Sequence, residues 1–127
     1  DLCALPFEDD SFDVIFCNHV LEHIPNDAQA MRELYRVMKK GGWGIFQVPQ
    51  DINRAHTFED DTITDPAERT RIFGQYDHVR VYGLDYFDRL RQVGFEVEEI
   101  VYSTHFTTGE IERYRIVPQE IIPLCKK

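Results

Sequence analysis

The sequence predicts an α/β fold built on a mostly parallel sheet, and three consecutive elements near its start carry that prediction. The unbroken apolar run Val14-Ile15-Phe16-Cys17 is typical of a strand buried on both faces, and we place this strand at Phe12–Cys17. An amphipathic helix pattern follows, and a second apolar stretch runs from Trp43 to Val48. Strand, helix and strand at this spacing indicate a right-handed parallel crossover.

The helix between those strands is marked at both ends. Asn26 is a good N-cap residue, and Gln29 lies three residues further on, as a capping box requires. Lys39-Lys40 suit the negative end of the helix dipole, and Gly41-Gly42 predict the end of the helix. Apolar residues recur at i, i+3, i+4 and i+7, which gives the helix one apolar face: Met31, Leu34, Tyr35 and Met38.

Residues 50–82 differ in kind from the segments on either side. They are polar, and they hold one short predicted helix with Asp65 as its cap, Pro66 at its first position and an end near Phe73. A segment this long between core elements is uncommon unless it is functional. We therefore interpret residues 50–82 as a lid or a substrate-binding insertion in a domain that spans residues 1–127.

Further elements are predicted in the last third of the chain. Leu84 to Val93 is a helix with an apolar face, and Phe95 to Tyr102 is a strand. Glu110 to Arg115 fits a helical turn. Ile121 to Cys125 fits a last strand, in which Pro123 cannot donate a ladder hydrogen bond.

Composition argues against several functional classes. A net charge of -9 disfavours binding to nucleic acid through bulk charge. No signal peptide is recognisable and no apolar run approaches about 18 residues, so we expect neither secretion nor membrane association. The three cysteines, Cys3, Cys17 and Cys125, lack the spacing of a zinc or redox motif, which favours a cytoplasmic location.

Five segments carry a further pattern: Asp1–Phe7, Ser11–Phe16, Asn18–Ile24, Val37–Gly42 and Leu84–Phe95. In this order and spacing they resemble the class I S-adenosylmethionine (SAM)-dependent methyltransferases of the ubiquinone/menaquinone-biosynthesis type. The resemblance implies a partial Rossmann-like methyltransferase sheet whose N-terminal half is missing.

The family fold assigns the four predicted strands to positions four to seven of a seven-stranded sheet. Phe12–Cys17 would be the fourth strand and Trp43–Val48 the fifth. Phe95–Tyr102 would be the sixth, and Ile121–Cys125 the antiparallel seventh, lying between the fifth and the sixth. That position makes Pro123 a departure from the family pattern.

The same resemblance implies SAM as the cofactor and assigns it six residues: Asp1, Leu2, Asn18, His19, Val20 and His23. The first two would bind adenine, through a side-chain carboxylate and a backbone N–H. The next two would contact the methionine end of SAM, largely through their backbone, and the last two would line the same pocket. An asparagine at this position also caps strand ends, and that alternative stays open for its side chain.

The sequence leaves the catalytic group open among four candidates: Glu22, His23, His78 and Arg80. Glu22 fits a general base, or a structural partner of Arg32 or of a backbone N–H. His78 can accept a proton near neutral pH and Arg80 suits a carboxylate or a phosphate; the alternative is a solvated loop with a local Asp77–Arg80 pair.

Glu22 and His23, together with His19, also suggest a transition-metal site. No third or fourth ligand is clear beside them in the sequence. We therefore predict no metal site.

These expectations combine into a function and a rival to it. The function is SAM-dependent methyl transfer to a small-molecule acceptor by the full-length parent. The glycine-rich turn and the ribose-binding acidic residue of the family have no counterpart here, so we expect this chain alone to be inactive. The rival is a non-catalytic interaction module that keeps the fold.

An unpaired Phe12–Cys17 edge would recruit another strand, which predicts self-association, for instance as a dimer.

Overall fold

The computed structural model describes all 127 residues and has α/β architecture. It holds six strands: β1 Phe12–Phe16, β2 Met38–Ile45, β3 Phe58–Glu59, β4 Arg80–Val81, β5 Glu96–Val101 and β6 Ile121–Lys126. It holds four α-helices: α1 Asp27–Val37, α2 Pro66–Phe73, α3 Tyr86–Val93 and α4 Thr108–Tyr114. Two 3-10 turns lie at Leu21–His23 and Tyr102–His105. None of the helices has both the length and the apolar character needed to cross a membrane.

Four of the strands form one sheet in the order β1-β2-β6-β5, and β3 pairs with β4 in a separate ladder. β1 and β2 are parallel and are joined by α1, which confirms the predicted parallel crossover. β6 runs antiparallel to both of its neighbours. The last strand, β6, therefore lies between β2 and β5, as the family resemblance implied.

Pro123 fits this central strand because β6 pairs with β5 over its whole length but with β2 over only its last part. On the β5 side the ladder runs from Lys126 to Ile121 and pairs Pro123 with Glu99. On the β2 side pairing stops at Leu124. The missing N–H of the proline therefore lies beyond the last residue that β2 pairs.

Helix α1 ends earlier than the sequence predicts. Its side-chain cap at Asn26 is confirmed, with the N–H of Gln29 donating to Asn26 Oδ1 at 3.1 Å. At the other end Met38 is already extended, because the N–H groups of Asp10 and Ser11 donate to the last helical carbonyls. The predicted continuation to Lys39-Lys40 and Gly41-Gly42 is wrong, and both pairs belong to β2.

The core lies between one face of the sheet and the helices α1 and α3. Its members include Leu21, Met31, Leu34, Met38, Phe46, Tyr82, Tyr86, Leu90 and Phe95. The opposite face of β1 is open, since Val14 is 40% and Phe16 is 63% exposed. The prediction of a strand buried on both faces is therefore wrong, because no element of the structure covers that second face or the free edge of β1.

The remaining helices follow their capping signals. Asp65 caps α2 through its side chain, with Pro66 in the first turn, and α2 ends at Phe73 as predicted. Helix α3 begins at Tyr86 and not at Leu84, which is 44% exposed and outside the core.

The segment 50–82 packs on the body of the domain through a buried ionic network. Arg80, 3% exposed, donates to Glu59 from Nε at 2.9 Å, and its Nε lies 3.7 Å from Asp27 Oδ2. Asp27 also accepts from Arg89 at 3.0 Å and from the Tyr82 hydroxyl at 2.8 Å. A solvated loop with an Asp77–Arg80 pair is therefore not what forms.

Arg36 and Glu33 of α1 hold the first loop of the chain. Arg36 donates to the carbonyls of Leu5 and Phe7, and Glu33 accepts from the N–H of Leu5 at 2.8 Å. The Arg36 hydrogen bond, followed by the Leu5 N–H, lowers the pKa of Glu33 from 4.5 to about 2.

We expect Arg80→Met to lower the free energy of unfolding by about 3–5 kcal/mol, because it leaves buried polar partners unpaired. The control is Arg71→Met in the same segment, whose side chain is 72% exposed, with an expected change within about 0.5 kcal/mol. Urea unfolding measures both. Equal effects of the two substitutions would contradict a structural role for the network.

Glu33→Gln tests the loop attachment through its pH dependence. A lowered pKa means that the carboxylate stabilises the fold above pH 4.5 and that this contribution is lost as the pH falls towards 2. We therefore expect the stability difference between the natural chain and Glu33→Gln to shrink over that window. Thermal unfolding between pH 2 and 7 measures this difference, and Glu112→Gln at an exposed position is the control. The same pH dependence in both variants would contradict the role assigned to Glu33.

Candidate functional site

A polar turn follows β1 at the carboxyl edge of the sheet, where open α/β sheets bind ligands. Asn18 Oδ1 accepts from the N–H of Gln47 at 3.1 Å, and His19 donates its own N–H to the Gln47 carbonyl at 2.8 Å. The Asn18 side chain therefore has the capping role that the sequence left open. His19 has a φ of 55°, which is a left-handed conformation, and its side chain is largely exposed.

A cavity of about 480 Å³ opens beside this turn. It is lined by His19, by the segment Gln47–Gln50 that follows β2, by Ile52, and by Val117, Gln119, Glu120 and Ile121 at the entry to β6. This volume suits a small organic molecule.

An apolar groove of about 470 Å³ lies on the other side of the same turn, along the free edge of β1. Eleven of its twelve lining residues are hydrophobic, so it favours a flat apolar group. Three of the six predicted cofactor residues line it: Leu2, Asn18 and Val20. Asp1 does not line it, and its carboxylate accepts from the N–H of Cys3 at 2.9 Å.

Glu22 is the buried acid of the site. It is 2% exposed, and its Oε1 lies 3.6 Å from His19 Nδ1 and 3.8 Å from His23 Nε2. Its Oε2 is buried without a hydrogen-bond partner. The predicted alternative of a pair with Arg32 is wrong, because Arg32 donates to Gln29 instead.

His78 joins this acid from the segment 50–82. Its ring stands edge-on to the ring of His23, with centroids 4.7 Å apart. The N–H of Val79 donates to the Glu22 carbonyl at 3.0 Å, which fixes the two chain segments together. Glu22 and His78 are 56 residues apart, so no spacing in the sequence announces this meeting; only the docking of the segment creates it.

Arg80, the fourth catalytic candidate, has a different place from the predicted one. Its guanidinium donates to the carbonyls of Leu21, Ile24 and Pro25 as well as to Glu59. These partners take up its donors within the protein, so it is not free to bind a carboxylate or a phosphate of a substrate.

Cys17 is a core thiol beside this site and not a nucleophile. Burial, followed by the nearby Glu22 charge, raises its pKa to about 11, so the thiol stays protonated at neutral pH.

Comparison with known sequences finds similar proteins for the first third of the chain, which includes the turn and the strand before it. Residues 1–46 match the family described as "Methyltransferase domain". Three curated relatives align over short segments. Sterol 4-C-methyltransferase strm-1 of Caenorhabditis elegans is 45% identical over 42 residues, which is 33% of this chain and 13% of the relative.

The uncharacterized methyltransferase YcgJ of Bacillus subtilis is 46% identical over 39 residues, 31% of this chain and 15% of the relative. The demethylmenaquinone methyltransferase of Listeria welshimeri is 47% identical over 38 residues, 30% of this chain and 16% of the relative. The matched segments therefore span well under two thirds of the length of these relatives.

Solved structures share the fold over nearly the whole chain. A SAM-dependent methyltransferase from Mesorhizobium loti superposes with a TM-score of 0.62 at 17% identity, covering 98% of this chain and 65% of that one. The [4+2]-cyclase SpnF superposes with a TM-score of 0.60 at 18% identity, covering 100% of this chain and 54% of that one. Identities this low show the fold alone.

The match over residues 1–46 covers the first loop, β1, the polar turn, α1 and β2, so it includes part of the candidate site. The curated relatives are methyltransferases. Residues 1–46 are therefore similar to the methyltransferase-domain family, and the chain as a whole shares its fold with solved methyltransferase structures.

Proposed function

We propose that the protein to which this chain belongs transfers a methyl group from SAM to a small-molecule acceptor. One observation carries the proposal: the turn at residues 18–20 separates an apolar groove from a cavity of small-molecule size at the carboxyl edge of the sheet. In this arrangement the cofactor would bind in the groove and the acceptor in the cavity, with residues 18–20 between them.

The residues present fit one part of the cofactor. The groove holds Leu2 and Val20, whose apolar surfaces suit the adenine ring and the chain that leads to the sulfonium. SAM, when bound, supplies an electrophilic methyl group. Arg36 and Glu33 hold the first loop at Leu5, and Leu2 of the same loop lines the groove.

The work of the chain in such a reaction is to position the acceptor and to take its proton. In-line methyl transfer needs the nucleophile held close to the methyl group in a site that excludes water. His19 lines the acceptor cavity and has Glu22 behind its Nδ1 at 3.6 Å. His19 is therefore the group placed to accept the proton of an acceptor hydroxyl or amine.

We further propose that this chain alone binds SAM weakly. A glycine-rich strand–turn–helix and an acidic ribose-binding residue, which the family resemblance implies for the rest of the cofactor, have no counterpart among its 127 residues.

Calorimetric titration with SAM tests these statements. We expect no measurable heat from the 127-residue chain, whose intact mass is checked first, and saturable binding by the protein encoded by the whole parent gene. In that whole protein Val20→Asp should weaken SAM binding at least about tenfold, because a carboxylate in the apolar groove must be desolvated.

The matched control is Val101→Asp, a partly exposed position remote from the groove. Binding that Val20→Asp leaves unchanged would contradict the cofactor assignment to the groove. A parent gene that encodes no upstream glycine-rich strand–turn–helix would favour the second candidate function.

That second candidate is a non-catalytic interaction module, and the open side of β1 favours it. β1 pairs on one edge only, and Val14 and Phe16 of β1 and the neighbouring Trp43 of β2 are exposed. Unpaired edges and apolar faces recruit another chain, and we propose a second copy of this chain as the partner.

Light scattering at tens of micromolar tests this self-association. We expect a dimer that Phe16→Lys converts to a monomer, because a charge then replaces an apolar side chain that is 63% exposed. Tyr76→Lys is the control, since Tyr76 has the same exposure of 62% but lies in the segment 50–82. A natural chain that is already monomeric would refute the proposal.

A further inference from the structure

Glu22, His23 and His78 converge on one point between the turn after β1 and the segment 50–82. Each offers one atom that can bind a metal, and these atoms all lie within 4.8 Å of one another. A span of this size is closed by modest side-chain rotation around an ion, whose ligands lie about 2 Å away.

Both imidazoles are oriented in the way that metal-binding histidines are. His23 Nδ1 lies 3.3 Å from Asp77 Oδ2, and His78 Nδ1 lies 3.2 Å from the Phe73 carbonyl. Each ring can therefore donate from Nδ1, which leaves the Nε2 lone pair free. Carboxylates and backbone carbonyls in this position fix the tautomer and the direction of a metal-binding ring.

The buried carboxylate of Glu22 is an independent observation that favours a cation site. Glu22 is 2% exposed, and its Oε2 has no hydrogen-bond partner. A buried carboxylate oxygen without a partner is costly, whereas a cation beside it offsets the desolvation. The unpaired oxygen belongs to the same side chain whose Oε1 lies 3.8 Å from His23 Nε2.

The two segments that carry these side chains are fixed before any ion binds. The N–H of Val79 donates to the Glu22 carbonyl, and Arg80 donates to the carbonyls of Leu21, Ile24 and Pro25. Pre-organised ligands lose little conformational entropy on binding, which favours affinity.

We propose that Glu22, His23 and His78 bind a divalent transition-metal ion of the Zn²⁺ class. Two imidazoles and one carboxylate are a ligand set for Zn²⁺ and Fe²⁺, whereas Mg²⁺ and Ca²⁺ prefer oxygen alone. Three protein ligands leave a fourth position open, and His23 is 27% exposed, so solvent reaches the site. The site goes beyond the proposed methyl transfer and does not depend on it.

The experiment titrates the metal-free 127-residue chain with Zn²⁺ by calorimetry and with Co²⁺ by visible absorption. A Cys3→Ser background removes the partly exposed thiol as a competing ligand. Burial raises the pKa of Cys17 to about 11 and of Cys125 to about 12, so neither thiol competes at neutral pH. We expect one ion per chain and a cobalt spectrum of tetrahedral intensity.

Four variants separate a site from a fold effect. His78→Gln should weaken Zn²⁺ binding by at least about 100-fold, and Asp77→Asn, which touches only the second ligand shell, by about 10–100-fold. His56→Ala and His105→Ala are controls that keep full affinity. Circular dichroism checks that each variant is folded. If His78→Gln does not fold, Asp77→Asn still tests the site.

The proposal is overturned by either of two results. One is the absence of stoichiometric Zn²⁺ binding by the folded chain. The other is binding that the folded His78→Gln and Asp77→Asn variants leave unchanged, which would assign the ion to other residues.

Discussion

The placement of Arg80 is the constraint on which the rest of this structure depends. One guanidinium satisfies three carbonyls of the turn after β1 and a carboxylate from β3. The Leu21 carbonyl also accepts from the Ile24 N–H and from the Tyr82 hydroxyl. The carbonyls of Ile24 and Pro25 receive their side-chain donor from Arg80, and a buried carbonyl without a partner is costly. Arg80 removes that cost and, in doing so, fixes the segment 50–82 against the strand end that carries the site.

The consequence for function is that the site has two sources along the chain. The turn supplies His19, Glu22 and His23, and the docked segment supplies Asp77 and His78. Asp27 holds the same junction from α1, through Tyr82 and Arg89. The segment 50–82, predicted to be a lid or a substrate-binding insertion, packs against the turn and brings Asp77 and His78 next to it.

Local signals in the sequence were sufficient for most of the fold. The caps Asn26 and Asp65 act within a few residues, and α1 and α2 begin where these residues predict. Errors came where distant groups decide the outcome. Helix α1 stops at Val37 because Asp10 and Ser11 bind its last carbonyls, and the exposed face of β1 depends on which elements lie above it. The proximity of His78 to Glu22 also depends on residues that are far apart in the sequence, so the sequence did not predict it.

The fold by itself does not decide the reaction, since a [4+2]-cyclase shares it as fully as a methyltransferase does. What distinguishes one reaction from another is the charge and the proton inventory beside the cavity. Here Glu22 lies between the cavity and the buried cluster of Glu22, His23 and His78. Its Oε1 is close to His19 at the cavity and to His23 in the cluster. One carboxylate oxygen therefore lies 3.6 Å from a histidine at the cavity and 3.8 Å from a histidine in the buried cluster. The proposed metal ion and the proposed proton acceptor would share this carboxylate, so a substitution of Glu22 would affect both.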